Sequence, residues 1–243
     1  MNKNGERHEE RTREYDVRND DNEGLSQAEF TEIQPLIPVG NNVERYDDLA
    51  VEYDVWYDAN ERLFEAEVAA LQAIIPDGYG LEVGAGSGRF MKALGIDRGI
   101  EPAKNMRQIA KTHEVLLDEG VAEDLPFPDG RFDYVAFLTS LEFVADKHTA
   151  LTEAKRVLRP GGRLIIAFLN AASEEGRQLV AAQNDLPFFE YASFLTADQL
   201  MELIESHGFW CHTVSQVVGE DDTFEVLEGH GDGLYTVLAA IRP

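Results

Sequence analysis

Cys211 is the only cysteine in 243 residues. That excludes an intramolecular disulfide and any cysteine-cluster metal site. No apolar run reaches the roughly 18 residues that a membrane span requires. The opening "MNKNGERHEERTREYD" also lacks the apolar segment of a secretory signal, so a cytoplasmic location without membrane contact is expected. Positive charge is scarce as well. Asp and Glu total 46 against 21 Lys and Arg, a formal net charge of −25, and only six of the basic residues are lysines. Such a surface repels nucleic-acid phosphate and anionic lipid, so neither is expected as a partner. Many carboxylates and few lysines fit a halophilic, salt-adapted protein, because salt screens the self-repulsion. The histidines at 113, 148, 207, 212 and 230 lack H-E-x-x-H spacing, and no metal is expected.

Residues 1–34 hold ten acidic and five basic residues and almost no clustered aliphatics. They bury too little apolar surface to offset ordering entropy and read as disordered. "PLIPVG" (35–40) is a Pro/Gly-punctuated linker. The chain therefore divides into an acidic extension with its linker, 1–40, and one folded domain, 41–243. From residue 43 aromatic and aliphatic residues recur at helical spacing, predicting two helical segments broken near Asn60. Strand-like and helix-like stretches then alternate. "GYGLEVGA", "DRGIEP", a piece of "EVLLDEGVAEDLPFPDG", "FDYVAFLTS", "RLIIAFL", "WCHTVSQVV" and "GLYTVLAAIRP" read as strands. "DKHTALTEAKRVLRPGG" reads as a helix stopped by Pro160-Gly161-Gly162, and "TADQLMELIESHGF" as one capped by Thr196 and followed by Gly208. Short connections imply an α/β domain with a mostly parallel sheet and an antiparallel final pair.

The chemistry centres on "LEVGAGSG" (81–88), where Gly84, Gly86 and Gly88 follow an apolar run and precede a helix. In open α/β sheets ligands bind at such a loop, beyond the carboxyl ends of the strands. No Lys-Ser or Lys-Thr follows, so the loop is not the nucleotide-phosphate type. A dinucleotide fingerprint needs its third glycine at 89, where Arg89 stands. The pattern is G-x-G-x-G with Glu82 ahead of it.

"LEVGAGSGRF" resembles motif I of the class I S-adenosylmethionine-dependent methyltransferases, of the small-molecule type 11 kind. The resemblance extends through "GIEPAKNM" (99–106), "AEDLPFPDGRFDYV" (122–135), "TSLEFV" (139–144) and "AKRVLRPGGRLIIAF" (154–168), in that order. It implies a Rossmann-like seven-stranded sheet of order 3-2-1-4-5-7-6, the last strand antiparallel, with helices on both faces and an N-terminal helical lid. It also implies S-adenosylmethionine as cofactor. Gly84 and Gly86 would let the backbone approach the cofactor, with Ala85 and Gly88 completing the loop. Glu82 would engage its amino end and Glu101 its ribose hydroxyls. Pro102 and Met106 would flank the adenine, and Ala122 and Glu123 would meet its edge. Many relatives carry Asp immediately before that pair; here it is Val121. Thr139 and Ser140 would face the methyl-transfer region.

Tyr53, Trp56 and Tyr57 read either as a helical core stripe or as part of a lid, with Tyr53 or Trp56 near the sulfonium. Glu142 is a candidate general base, although an ordinary loop carboxylate is the competing reading. Cys211 reads as packing, and "GHGDG" (229–233) as a hairpin loop. The resulting expectation is methyl transfer to a small-molecule N, O or S nucleophile by a monomer or homodimer. A non-catalytic cofactor-binding module, a nicotinamide-dependent oxidoreductase and an interaction protein acting through its tail stay open.

Overall fold

The computed structural model describes residues 39–220 and 223–243. The expected extension over 1–40 lies almost wholly outside them. Three helices come first, α1 (Val39–Asp48), α2 (Ala50–Ala59) and α3 (Glu61–Gln72). The break read near Asn60 is there. Its side chain donates to the Trp56 carbonyl at 2.8 Å, which ends α2 locally.

The alternation that follows is β1 (Gly80–Val83), α4 (Arg89–Leu94), β2 (Arg98–Ile100), α5 (Lys104–Thr112) and β3 (Phe132–Leu138). Then come α6 (Lys147–Val157), β4 (Leu158–Leu169), α7 (Glu174–Ala182), α8 (Ala197–Ser206), β5 (Trp210–Glu220), β6 (Thr223–Glu228) and β7 (Tyr235–Ile241). Among the described residues the strands form one sheet, ordered β2-β1-β3-β4-β7-β5-β6. The pairs β2–β1, β1–β3 and β3–β4 are parallel, and β7 runs antiparallel to both β4 and β5. This is the expected Rossmann-like sheet with two differences at its edges. The third strand shrinks to a single bridge between Ile100 and Asp118, because Leu116 is exposed and Glu119-Gly120 ends the apolar run. At the other edge β6 adds a strand that pairs antiparallel with β5.

Side-chain alternation distributes the core over both faces of the sheet. Leu81, Val135, Phe137, Leu164 and Ile166 pack with Leu151, Leu200 and Ile204 of α6 and α8. Ala136, Leu138, Ile165, Ala167 and Val237 face Leu71, Phe90 and Met91 of α3 and α4. β3 is apolar nearly throughout because both of its faces are covered. Thr196 and Gln199 form a capping box at α8, and Gly208 takes φ +75° after its end. α6 stops at Val157, before Pro160-Gly161-Gly162, since the residue preceding a proline is pushed out of the helical region. That segment instead opens β4. No helix among the described residues is long and apolar enough to cross a membrane.

The carboxyl ends of the parallel strands must stay aligned for the loops above them to converge, and Phe137 is fully buried at that centre. Phe137→Ala is expected to cost about 3–5 kcal/mol, read as a lowered midpoint in chemical denaturation.

Candidate active site

The glycine loop is fastened to β2 before anything else is added. The Gly84 and Ala85 N–H groups both donate to the Ile100 carbonyl, at 3.0 and 2.9 Å. Gly84, Gly86 and Gly88 take φ of +72°, +54° and +76°, a region costly for residues with a Cβ. Their surroundings differ. A Cβ on Gly84 would meet the Ser140 Cβ at 2.7 Å, and one on Gly86 the Tyr53 ring at 3.5 Å. One on Gly88 would press on Val115 at 2.9 Å. Gly88 therefore serves helix packing, while Gly84 and Gly86 shape the site.

Above the loop lies a cleft of about 730 Å³, including space open to solvent. Ten of the residues singled out from the sequence line it: Tyr53, Gly84, Gly86, Glu101, Pro102, Met106, Ala122, Glu123, Thr139 and Ser140. Five do not. Ala85 and Gly88 belong to the loop but lie away from the cleft lining. Trp56 points outward from α2, 42% exposed and edge-on to Tyr57, because a helix turns it about 100° per residue away from the inward Tyr53–Tyr57 pair. Glu82 is buried beneath the loop. Glu142 sits in a 3₁₀ turn (Leu141–Phe143), and its Oε1 accepts the Leu169 N–H at 2.8 Å. It braces that turn against the end of β4 and does not line the cleft. Asn42, Val43, Tyr46 and Phe143 line the cleft too and escaped the sequence reading. Val43, Tyr46 and Tyr53 lie at helical spacing that a longer window would have shown. Asn42 is fixed by donating to the Phe143 carbonyl at 2.7 Å.

Glu101 joins the parts. Its Oε2 accepts the Gly86 N–H at 2.9 Å and its Oε1 the Ala103 N–H at 2.8 Å. Burial pushes its pKa up to about 7, against the pull of those two N–H groups. Glu123 is also engaged, accepting the Ala145 and Asp146 N–H groups, both at 3.1 Å. Thr139 holds φ +48°, an uncommon conformation for a β-branched residue, at the cleft wall.

The roof is α1 and α2, tied down by charge. Arg89 Nε meets Asp54 Oδ1 at 2.6 Å and its Nη2 meets Asp58 at 2.7 Å, while His113 Nε2 lies 2.9 Å from Asp54. Burial acts to raise the Asp54 pKa, but hydrogen bonds from Arg89 and His113 outweigh it and hold the group below its ordinary value. The Asn105 N–H donates to Asp47 at 2.5 Å, and Arg45 pairs with Glu190.

A family model described as a methyltransferase domain matches residues 81–166. A solved structure from Thermotoga maritima, described as an S-adenosylmethionine-dependent methyltransferase and possible histamine N-methyltransferase, superposes with a TM-score of 0.80. It is 31% identical, over 82% of this chain and 99% of that one. The chain belongs to the S-adenosylmethionine-dependent methyltransferases. An uncharacterized protein of Methanocaldococcus jannaschii is 36% identical over 66% of this chain and 80% of its own. The ubiquinone/menaquinone biosynthesis C-methyltransferase UbiE of Psychromonas ingrahamii is 29% identical over 50% of this chain, which spans 47% of that protein. This methyltransferase thus uses S-adenosylmethionine, and the nicotinamide reading falls.

The site's own geometry fits that cofactor. Gly84 and Gly86 leave a cradle that Cβ atoms would fill, Glu101 is held rigid at the end of β2, and the Glu82 Oε2 is buried without a hydrogen-bond partner. Burial, then the neighbouring Glu101 charge, drives the Glu82 pKa well up. Glu67 on α3 is also buried, and desolvation alone pushes it up to about 8.

These raised values fix a pH dependence. Folded Glu67 and Glu101 hold protons that the unfolded chain releases above its ordinary value near 4.5. Stability is therefore highest at the acid end and falls as pH rises toward about 7 and about 8. The slope is on the order of 1.4 kcal/mol per pH unit per group. Ligand-free melting followed from pH 5 to 8.5 at high salt should show this decline, with a shallower slope in Glu67→Gln.

Proposed function

We propose that this methyltransferase acts on a nitrogen, oxygen or sulfur of a small-molecule acceptor held in the cleft beneath α1 and α2. The observation that carries the reading is enclosure. Tyr46, Tyr53 and Asn42 roof the cleft, and ion pairs on two sides hold the roof down. The net charge of −25 argues in the same direction, against a nucleic-acid acceptor.

When bound, S-adenosylmethionine supplies a methyl group already activated on a sulfonium. The chain's task is then alignment and exclusion of water. Glu101 would accept the ribose hydroxyls with lone pairs left over from its two N–H bonds. Gly84 and Gly86 would admit the amino-acid portion, and the unpartnered Glu82 Oε2 would answer its ammonium. Pro102 and Met106 would flank the adenine, with Ala122 and Glu123 at its edge; Val121 offers no carboxylate there, and Glu123 is already shared with two N–H groups. Thr139 and Ser140 would border the transfer region. Glu142 would be a poor base for the acceptor, since its Oε1 holds the Leu169 N–H and it does not line the cleft.

Transfer of radiolabelled methyl to a panel of small amines, alcohols, thiols and activated carbon acids tests the reading. Product on a heteroatom acceptor is expected. Methylation confined to carbon, protein or nucleic acid would overturn it. Glu101→Ala is expected to weaken S-adenosylhomocysteine binding roughly 10- to 100-fold by calorimetry, the loss of hydrogen bonds to a charged group.

A further inference from the structure

Behind Tyr53, on the face of the sheet covered by α2 and α3, polar groups collect that the cofactor does not account for. Glu67 comes from α3 and is 6% exposed, and its Oε2 has no hydrogen-bond partner. Tyr235, the first residue of β7, is 3% exposed, and its hydroxyl is likewise unpartnered. Its register partner is Leu169, the last residue of β4, which places it at the carboxyl end of the parallel strands. Tyr57 and Tyr53 bring two further hydroxyls, 3.4 Å apart, a long and weak contact. Of these four side chains the Tyr53 ring lines the cleft, and Tyr57, Glu67 and Tyr235 do not.

The Glu67 charge acts on all three phenols. After burial, Glu67 is the largest cause raising the Tyr235 phenol, and it also raises Tyr53 and Tyr57. Glu82 and Glu142 act on Tyr235 in the same sense. Among the described residues no cation pairs with Glu67, and burial raises its pKa. A buried carboxyl and a buried phenol without partners each cost free energy that an apolar pair at the same positions would not. Side chains bearing acceptor oxygens in an apolar surround, with Tyr53 shared between this group and the cleft, define the complement: a compact cationic head with N–H donors.

We infer that Glu67 and Tyr235, with the Tyr53–Tyr57 hydroxyls, form the acceptor subsite and that the acceptor is an amine. The inference rests on the small-molecule reading above and narrows it to nitrogen. The amine head displaces the weak Tyr53–Tyr57 contact and is held by the Glu67 carboxylate and the Tyr235 oxygen. The ammonium gives one proton to the Glu67 carboxylate, and the neutral amine nitrogen so formed uses its lone pair to make the N–C bond while the methyl C–S bond breaks and its electron pair stays on sulfur. The product leaves as the methylated ammonium, and Glu67 releases the proton it took to water.

The test uses 2-phenylethylamine, 2-phenylethanol and 2-phenylethanethiol, which differ only in the head group, titrated calorimetrically into the full chain saturated with S-adenosylhomocysteine. The amine should bind at least about tenfold tighter than either analogue. Its binding should release protons, seen as a buffer-dependent enthalpy near neutral pH, because a cation beside Glu67 favours the carboxylate. Glu67→Gln should abolish most of the preference and Tyr235→Phe should reduce it, with S-adenosylhomocysteine affinity unchanged in both. Equal binding of the three probes by the unaltered chain overturns the subsite, whether or not either variant folds. So does a preference that survives in a folded Glu67→Gln. Methyl transfer to the thiol or alcohol but not the amine overturns it while leaving the heteroatom reading intact.

Discussion

The active site hangs on one buried carboxylate. Glu101 accepts an N–H from the glycine loop on one oxygen and an N–H from the head of α5 on the other. The loop after β1 and the segment after β2 are thereby set at one spacing. The same residue sits nearly out of water, at a pKa pushed up to about 7. A carboxylate so placed is a rigid acceptor, because its geometry is set by backbone donors before a ligand arrives. Low local dielectric strengthens each bond it makes and penalises each one it lacks.

Arg89 extends that frame upward. In a dinucleotide site a glycine at its position would let the helix lie close to the strand; here a long cation leaves the same point and reaches α2. Its bonds to Asp54 and Asp58 fix the roof relative to the glycine loop, and His113 adds a contact from the end of α5. The substitution that distinguishes this loop from a dinucleotide fingerprint is thus also the residue that closes the cleft. The Arg89 and Asp54 side chains are mostly buried, where screening by salt is weaker than at an open surface pair.

Local spacing made much of this legible. The glycine loop, Glu101 and the run of parallel strands are each written in a few consecutive residues, and each lies where its local pattern indicates. What local spacing could not phase was orientation. Tyr53, Trp56 and Tyr57 are equally aromatic, yet only the i, i+4 pair Tyr53 and Tyr57 turns inward, and the roof's packing decides that. Glu142 lies two residues beyond Ser140, close in sequence to the transfer region, but the 3₁₀ turn reverses it toward β4. β6 was invisible because its T-F-E-V-L-E run is largely exposed and carries acids, so it shows no buried stripe. The third strand failed for the opposite reason: Val115-Leu116-Leu117 is apolar, but with Leu116 exposed at an uncovered edge only one bridge forms.

The buried acids admit a common physical reading. A chain with 46 acidic and 21 basic residues has few cations to place inside. Arg89 is engaged at the roof and Arg107 at the Glu101 and Pro102 carbonyls. Among the described residues neither Glu67 nor Glu82 meets a cation, and protonation is the least costly way for each to lower its desolvation penalty. A positively charged ligand changes that balance by favouring the carboxylate, so binding and proton release become one event. Methyl transfer begins with a sulfonium and an ammonium on the same cofactor and, with an amine as acceptor, ends with a second ammonium on the product. A carboxyl buried without a partner costs the ligand-free fold stability, and a cationic ligand reaching it would offset that cost, the balance expected of a group retained for binding and not for stability.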